Sequence, residues 1–327
     1  MTTISRKVDR NLLNVVRASV PDVISHGCRV PSGGHTAHKL INNPSGVTMK
    51  KILKPSLAAV ALALLAGTAS AGIKDTPHNL TSSSTGPNKQ STTEQICVFC
   101  HTPHAAAAGT EKPPLWNKSI PSNAGYTTYS TANSSTIDGQ VLAVGSVSAA
   151  CLSCHDGTQA MDNIINAPGS GGYAAGGGGA TGLAYNWGAS TRVDGDGKLI
   201  NSGAFIANLG QDLTNDHPIG IQYCGGGLSG ASTTVSGTCK DGDFKLPKTA
   251  NVNGAQVFWV DTSNAAARSK TDIILYTRTF SAGSGPSVEC ASCHDPHVST
   301  TDGAASDINF MRVTTAGSAI CLACHTK

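Results

Sequence analysis

The chain has 327 residues, of which 13% are charged and 5% are aromatic, whereas glycine alone contributes 37 residues. Its formal net charge of +3 comes from the first 71 residues, which hold nine basic and two acidic residues. The remaining 256 residues hold 14 basic and 18 acidic residues, a net charge of −4, so nucleic acid is not an expected partner.

The N-terminal part is predicted to be absent from the mature protein. Residues 1–48 contain no aromatic residue and no coherent periodicity, and we interpret them as an upstream extension from a wrongly assigned start. Residues 49–71 have the parts of a secretory signal peptide: a lysine-rich start, a short apolar run and the small residues Ala69-Ser70-Ala71. Because that apolar run is too short to cross a bilayer, the mature chain 72–327 is expected to be secreted and to have no membrane span.

The pentapeptide Cys-x-x-Cys-His occurs four times in the mature chain, as motif 1 (97–101), motif 2 (151–155), motif 3 (290–294) and motif 4 (321–325). This pattern is typical of c-type haem attachment, in which two thiols bind the porphyrin covalently and the histidine binds iron from one face. Zinc sites and redox-active pairs also use Cys-x-x-Cys, but neither needs a histidine after every pair. The sequence therefore predicts four covalently bound c-type haems.

The residues in these roles follow directly from the motifs. The predicted attachment thiols are Cys97, Cys100, Cys151, Cys154, Cys290, Cys293, Cys321 and Cys324. The predicted proximal iron ligands are His101, His155, His294 and His325.

Four further histidines of the mature chain, His78, His104, His217 and His297, are the predicted distal ligands. Because there is one such histidine for each of the four irons, the sequence predicts low-spin haems with two histidine ligands each. A structural or solvated role is the alternative for each of these histidines. His104 and His297 follow a motif histidine by only three residues, too few to reach the other face of the same haem, so each is expected to bind a neighbouring haem. His78 lies near the mature N-terminus and could serve a haem of its own subunit or of the next one.

The long interval between motifs 2 and 3, about 157–287, is predicted to be a small β-containing insertion. Its glycine-rich run 169–182 is expected to form a surface loop. An Asp-Gly turn within Arg192–Ile200 indicates a hairpin. Gln256–Val260 and Asp272–Phe280 are predicted to be short strands, the second because Ile274, Tyr276, Arg278 and Phe280 alternate with their neighbours.

Cys224 and Cys239 are the only cysteines of the mature chain outside the four motifs. In an oxidising compartment we expect them to form a disulfide, with two unpaired thiols as the alternative.

The mature chain is predicted to have the fold of a multihaem cytochrome c: mostly irregular coil with short helices, wrapped around four covalent haems. Its fifteen aromatic residues are few for a core of this size, so the apolar porphyrins are expected to supply much of the core. Small apolar residues flank the motifs, which indicates that the motifs lie on short helical turns.

With Cys-His-Thr-Pro-His at motif 1, Asp-His-Pro-Ile-Gly around His217 and Cys-His-Asp-Pro-His at motif 3, the chain resembles the multihaem c-type cytochromes of metal-respiring bacteria. It is most similar to filament-forming extracellular tetrahaem cytochromes of the OmcE type. The resemblance implies a continuous chain of haems and head-to-tail association of identical subunits. It also implies that an N-terminal histidine, a position that His78 matches, completes a haem of the neighbouring subunit.

The sequence therefore predicts an electron-transfer protein, located extracellularly or at the cell surface. Its expected partners are copies of itself in a filament, redox protein donors, and an extracellular metal oxide or other electron acceptor. A soluble periplasmic tetrahaem carrier is the alternative, because the same haems would serve it. A multihaem reductase is not expected, since eight histidines leave no exchangeable position on any iron.

Overall fold

The chain divides into two units, Met1–Gly67 and Thr68–Lys327. The computed structural model describes residues 72–86, 88–89, 93–104, 106–107, 113–121, 125–130, 134–168, 192–201, 206–229, 236–265, 267–298 and 310–327, all in the second unit. The predicted upstream extension, signal peptide and glycine-rich run lie outside these residues. Among the helices of the described part, none is long and apolar enough to cross a membrane.

Short helical segments carry all four Cys-x-x-Cys-His motifs, as predicted. Three α-helices are described: α1 is Ser146–His155, α2 is Cys290–Cys293 and α3 is Ala319–Cys324. Short 3₁₀ helices cover Gly72–Asp75, Ile96–Phe99, Tyr223–Gly225 and Ala316–Ser318, the second of which carries motif 1. A helical turn suits this motif because cysteines three residues apart then lie on the same face.

The largest β-structure is a five-stranded antiparallel sheet with the strand order β1-β7-β6-β5-β4. The strands of the described part are β1 Ile221–Gln222, β2 Leu228–Ser229, β3 Ser236–Gly237, β4 Lys248–Val252, β5 Ala255–Val260, β6 Ile273–Phe280 and β7 Gly283–Val288. Strands β2 and β3 form a separate antiparallel pair. The predicted strands within 256–260 and 272–280 are thus confirmed as β5 and β6, between motifs 2 and 3.

Tight turns set the register of the hairpins. Strands β4 and β5 are joined by Asn253 and Gly254, both with positive φ, in the two-residue turn that this dipeptide favours. The hairpin predicted around the Asp-Gly turn is also present: Val193 and Leu199 form an antiparallel bridge, and Asp194 N donates to the carbonyl of Lys198 at 2.9 Å.

One face of the sheet packs against the last haem-motif helix. Phe258 and Ile273 are almost fully buried there, and Ala323 of α3 belongs to the same apolar cluster. Tyr223 is also buried in this cluster, and its hydroxyl donates to the carbonyl of Lys245 at 2.9 Å. The sheet therefore fixes the position of motif 4.

Cys224 and Cys239 form a disulfide across the base of the β2–β3 hairpin, with Cα atoms 5.2 Å apart. The two chain segments of this hairpin approach closely. A Cβ atom at Gly237 would lie 2.0 Å from the carbonyl oxygen of Gly227, so any residue with a side chain would clash there.

Replacing both Cys224 and Cys239 with Ser is expected to lower the free energy of unfolding by about 3 kcal/mol, because a crosslink over a 15-residue separation restricts the unfolded chain. Chemical denaturation of the haem-loaded protein would measure the loss. Replacing the same pair with Ala is the control, and it should give the same loss if the crosslink rather than the thiols is responsible. An unchanged midpoint would contradict the expectation.

Candidate haem sites

The thiols of successive motifs lie close together. Cys151 of motif 2 and Cys290 of motif 3 are hydrogen-bonded through their side chains, although 139 residues separate them in the sequence. Cys100 interacts electrostatically with Cys154, and Cys293 interacts with Cys321. These interactions bring each motif near the next one in the sequence, and motif 1 also lies near the segment that follows motif 3, through His101 and His297.

A buried polar network joins motif 2 to motif 3. The side chain of Ser148 on α1 donates to Glu289 Oε2 at 2.5 Å and accepts a hydrogen bond from the backbone N–H of Cys290 at 3.0 Å. Glu289 also caps α2, since its side chain and that of Ser292 exchange hydrogen bonds with each other's backbone. Arg278 of β6 donates to Glu289 Oε1 at 2.8 Å, so the network extends to the sheet.

Two pairs of predicted ligands have the separation that an iron requires. The ring centres of His78 and His155 are 6.1 Å apart, and those of His101 and His297 are 6.2 Å apart. An imidazole nitrogen binds a transition metal at about 2 Å and its ring centre lies about 1 Å further away, so two imidazoles on opposite faces have ring centres about 6 Å apart. Each pair combines a predicted proximal ligand with a predicted distal ligand.

For the other four predicted ligands, no pair of rings with this separation is described. Desolvation lowers the pKa of His217, and a hydrogen bond to the carbonyl of Pro218 partly opposes this effect. The charge of His325 lowers the pKa of His217 further, so His217 lies near motif 4. His104 and His294 are exposed. Within the described residues, the His104 ring has no hydrogen-bonding partner and no neighbouring aromatic ring.

Hydrogen bonds at Nδ1 leave the other ring nitrogen, Nε2, for a metal in four of these histidines. The acceptors are the carbonyl oxygens of Pro114 for His101 (3.1 Å), Ala207 for His155 (2.7 Å) and Pro218 for His217 (3.0 Å), and Asp295 Oδ1 for His297 (3.2 Å). Metal-binding histidines commonly donate their second N–H to such an oxygen, which fixes the tautomer and the ring orientation. The donor set therefore fits haem iron.

The electrostatics of the sites also fit a neutral, apolar ligand environment. Burial and the neighbouring His155 lower the pKa of His78 to about 3, so its ring is in the neutral form that metals bind. Burial raises the pKa of the Cys100 and Cys324 thiols to about 12. Within the described part, buried Trp116 Nε1 has no hydrogen-bonding partner, and its ring meets His101 edge-on, so this donor suits a porphyrin carboxylate.

Sequence reasoning missed the polar residues that support these sites. Glu289 directly precedes motif 3, and Asp295 lies between the two histidines of His-Asp-Pro-His. Their positions next to the motif could therefore have identified both residues from the sequence. Arg278 and Arg312, which bind these two carboxylates, gave no local signal, because their partners lie 11 and 17 residues away.

Comparison with protein families matches residues 285–327 to the doubled CXXCH motif, which covers motifs 3 and 4. Comparison with curated proteins gives no match. The matched motif binds c-type haem covalently, and proteins that carry it are generally electron carriers. The doubled motif indicates that this chain is a multihaem c-type cytochrome.

Proposed function

We propose that residues 72–327 form a tetrahaem cytochrome that transfers electrons between bis-histidine haems, named haem 1 to haem 4 after the motif that attaches each. The observation that carries the proposal is the separation of the two histidine pairs, 6.1 and 6.2 Å between ring centres. When bound, c-type haem supplies an iron that alternates between the ferric and ferrous states.

The two pairs suggest which distal ligand serves which haem. His101 and His297 would hold haem 1, and His155 and His78 would hold haem 2. The electrostatic contact of His217 with His325 supports their assignment to haem 4. His104 then remains as the distal ligand for His294 of haem 3.

A full set of eight ligands would favour an electron carrier over an enzyme. Two imidazoles on each iron would leave no position for a substrate, and neither ligand would have to move when the oxidation state changes. The carbonyl and carboxylate oxygens at Nδ1 hold the rings in place. The hydrogen bond between Cys151 and Cys290 and the electrostatic interactions of Cys100 with Cys154 and of Cys293 with Cys321 support a continuous path from haem 1 to haem 4.

We further propose that the protein is secreted and polymerises head-to-tail into a filament that carries electrons to an extracellular acceptor such as a metal oxide. A head-to-tail contact that does not close into a ring gives an open fibre. His78 lies beside His155 of its own chain, which supports the within-subunit version of its ligand role.

Electron microscopy of material sheared from the surface of producing cells tests the filament. Ordered fibres with four haems per subunit, counted from the mass of the polypeptide and from its haem absorbance, are the expected result. Only monodisperse particles of single-subunit size, still with four haems, would favour the soluble periplasmic carrier. A haem count below four would contradict the tetrahaem assignment itself.

A further inference from the structure

Two segments of this chain have the same layout but differ at one residue. Motif 1 ends in His101-Thr102-Pro103-His104, and motif 3 ends in His294-Asp295-Pro296-His297. Each segment therefore presents a proximal and a distal ligand candidate three residues apart. Thr102 donates its hydroxyl to the carbonyl of His104 at 2.9 Å, and within the described residues it has no hydrogen bond to the His104 ring.

Asp295, in contrast, binds the ring of the histidine that follows it. Its Oδ1 atom accepts hydrogen bonds from the His297 backbone N–H at 3.0 Å and from the His297 Nδ1 at 3.2 Å. Arg312 lies 3.1 Å from Oδ2 of the same carboxylate. The Arg312 side chain is only 7% exposed and also donates to the carbonyl of Ala291, so it holds the carboxylate in this orientation.

This hydrogen bond differs in kind from those of the other rings. The Nδ1 atoms of His101, His155 and His217 face neutral carbonyl oxygens. A carboxylate is a stronger acceptor, and it draws the Nδ1 proton away from the ring and makes the ring a better electron donor to a metal. Both this effect and the negative charge stabilise the more positive ferric iron.

We propose that Asp295 is a positioning residue that lowers the reduction potential of haem 1 by acting through His297. This inference rests on the proposed function, in which His101 and His297 bind the same iron. A lowered potential makes haem 1 a stronger donor to the haems next to it. It would therefore give the chain of haems a preferred direction, from motif 1 toward motif 4.

The test replaces Asp295 with Asn, which keeps the size and the turn but removes the charge. Redox titration of the four-haem protein, followed by optical absorbance, is expected to show the midpoint potential of haem 1 shifted most strongly to a more positive value, with at most a smaller shift for haem 3, whose proposed ligand His294 precedes Asp295. The ferric electron paramagnetic resonance spectrum should change for one low-spin haem only, because the donor strength of one ligand has changed.

Asp156→Asn is the matched control, because Asp156 occupies the same place after motif 2. Its carboxylate accepts hydrogen bonds from Tyr126 and Thr158 and not from a histidine ring. This variant should leave the low-spin spectrum of every haem unchanged. The reciprocal variant Thr102→Asp is expected to lower the potential of the haem that His104 binds.

A second variant, His297→Ala, separates failure of this inference from failure of the proposed function. If His297→Ala makes one haem high-spin but Asp295→Asn shifts no midpoint, the tuning role of Asp295 is wrong and the ligand role of His297 stands. If His297→Ala leaves four low-spin haems, His297 is not a ligand, and both the haem 1 assignment and the tuning role are wrong.

Discussion

Replacing Glu289 with Ala is expected to lower the free energy of unfolding by about 3–5 kcal/mol, the range for breaking a buried ion pair from one side. The Glu289 side chain is fully buried and that of Arg278 is 7% exposed, with 2.8 Å between their charged atoms. The variant would leave the guanidinium buried without its carboxylate. It would also remove the cap of α2 and the acceptor for Ser148.

Thermal and chemical unfolding of the haem-loaded variant would measure this loss. The matched control is Asp261→Ala, which removes the carboxylate of the more exposed pair with Lys248 and should lower the free energy of unfolding far less than Glu289→Ala does. The double variant Arg278→Met with Glu289→Leu should recover much of the stability, because no unpaired charge then remains. A loss for Glu289→Ala as small as that of the control would contradict the expectation.

The same variant bears on electron transfer, because Glu289 connects the helices of motifs 2 and 3. Ser148 of α1 and the first turn of α2 are joined through this carboxylate. Loss of these hydrogen bonds would change the distance between the haem sites of motifs 2 and 3. The contacts that hold the sites of motifs 1 and 4 would remain.

The short helices that carry the motifs could be predicted from the sequence, because covalent haem attachment would require a fixed local pattern. The helical turn places the two cysteines and the histidine without help from distant residues. The Cys224–Cys239 disulfide could also be predicted, since these were the only cysteines of residues 72–327 left after the motifs were counted.

The strands were predicted only in part. Asn253-Gly254 is a strong hairpin signal, and reading it would have added β4 to the predicted β5. In β6, alternation was expected to run through Ile274, Tyr276, Arg278 and Phe280. Instead, the buried face changes along the strand, from Ile273 and Leu275 to Arg278 and Phe280. The first part of β6 pairs with β5 and the second part with β7, so burial depends on neighbours that the local pattern does not specify.

The pairing of proximal with distal ligands could not be predicted, because sequence spacing can exclude a pair of histidines but cannot identify the correct pair. The spacing excluded His297 as a ligand to the haem of motif 3, but it did not indicate that His297 pairs with His101, which is 196 residues away. Likewise, nothing local indicated that motif 2 lies beside motif 3. That contact depends on buried hydrogen bonds between Ser148 and Glu289, which are 141 residues apart.

Replacing His78 with Ala is expected to convert one of the four haems of the isolated subunit from low spin to high spin. The His78 ring lies 6.1 Å from His155 and stacks on Phe310 at 4.1 Å, within a single chain. The carbonyl of Pro296 accepts a hydrogen bond from the same ring. Without the His78 ring, His155 would be the only histidine that binds the iron of haem 2.

Electron paramagnetic resonance of the ferric protein, diluted until it is monomeric, would measure the spin states. Phe310→Leu is the matched control, because it removes the stacked ring but leaves the ligand, so all four haems should stay low-spin. Filaments of the His78→Ala variant should still form, since the residue acts inside its own subunit.

The between-subunit role of His78 makes the opposite set of predictions. In that case the wild-type monomer would already contain one high-spin haem, which would become low-spin on polymerisation, and His78→Ala would abolish the filaments. Because the two roles differ in the spin state of the unmodified monomer, the wild-type spectrum distinguishes them before any variant is made. A fully low-spin monomer would place the His78–iron bond, like those of the other distal ligands, within one chain, and the continuity of a filament would then depend on contacts that do not involve an iron ligand.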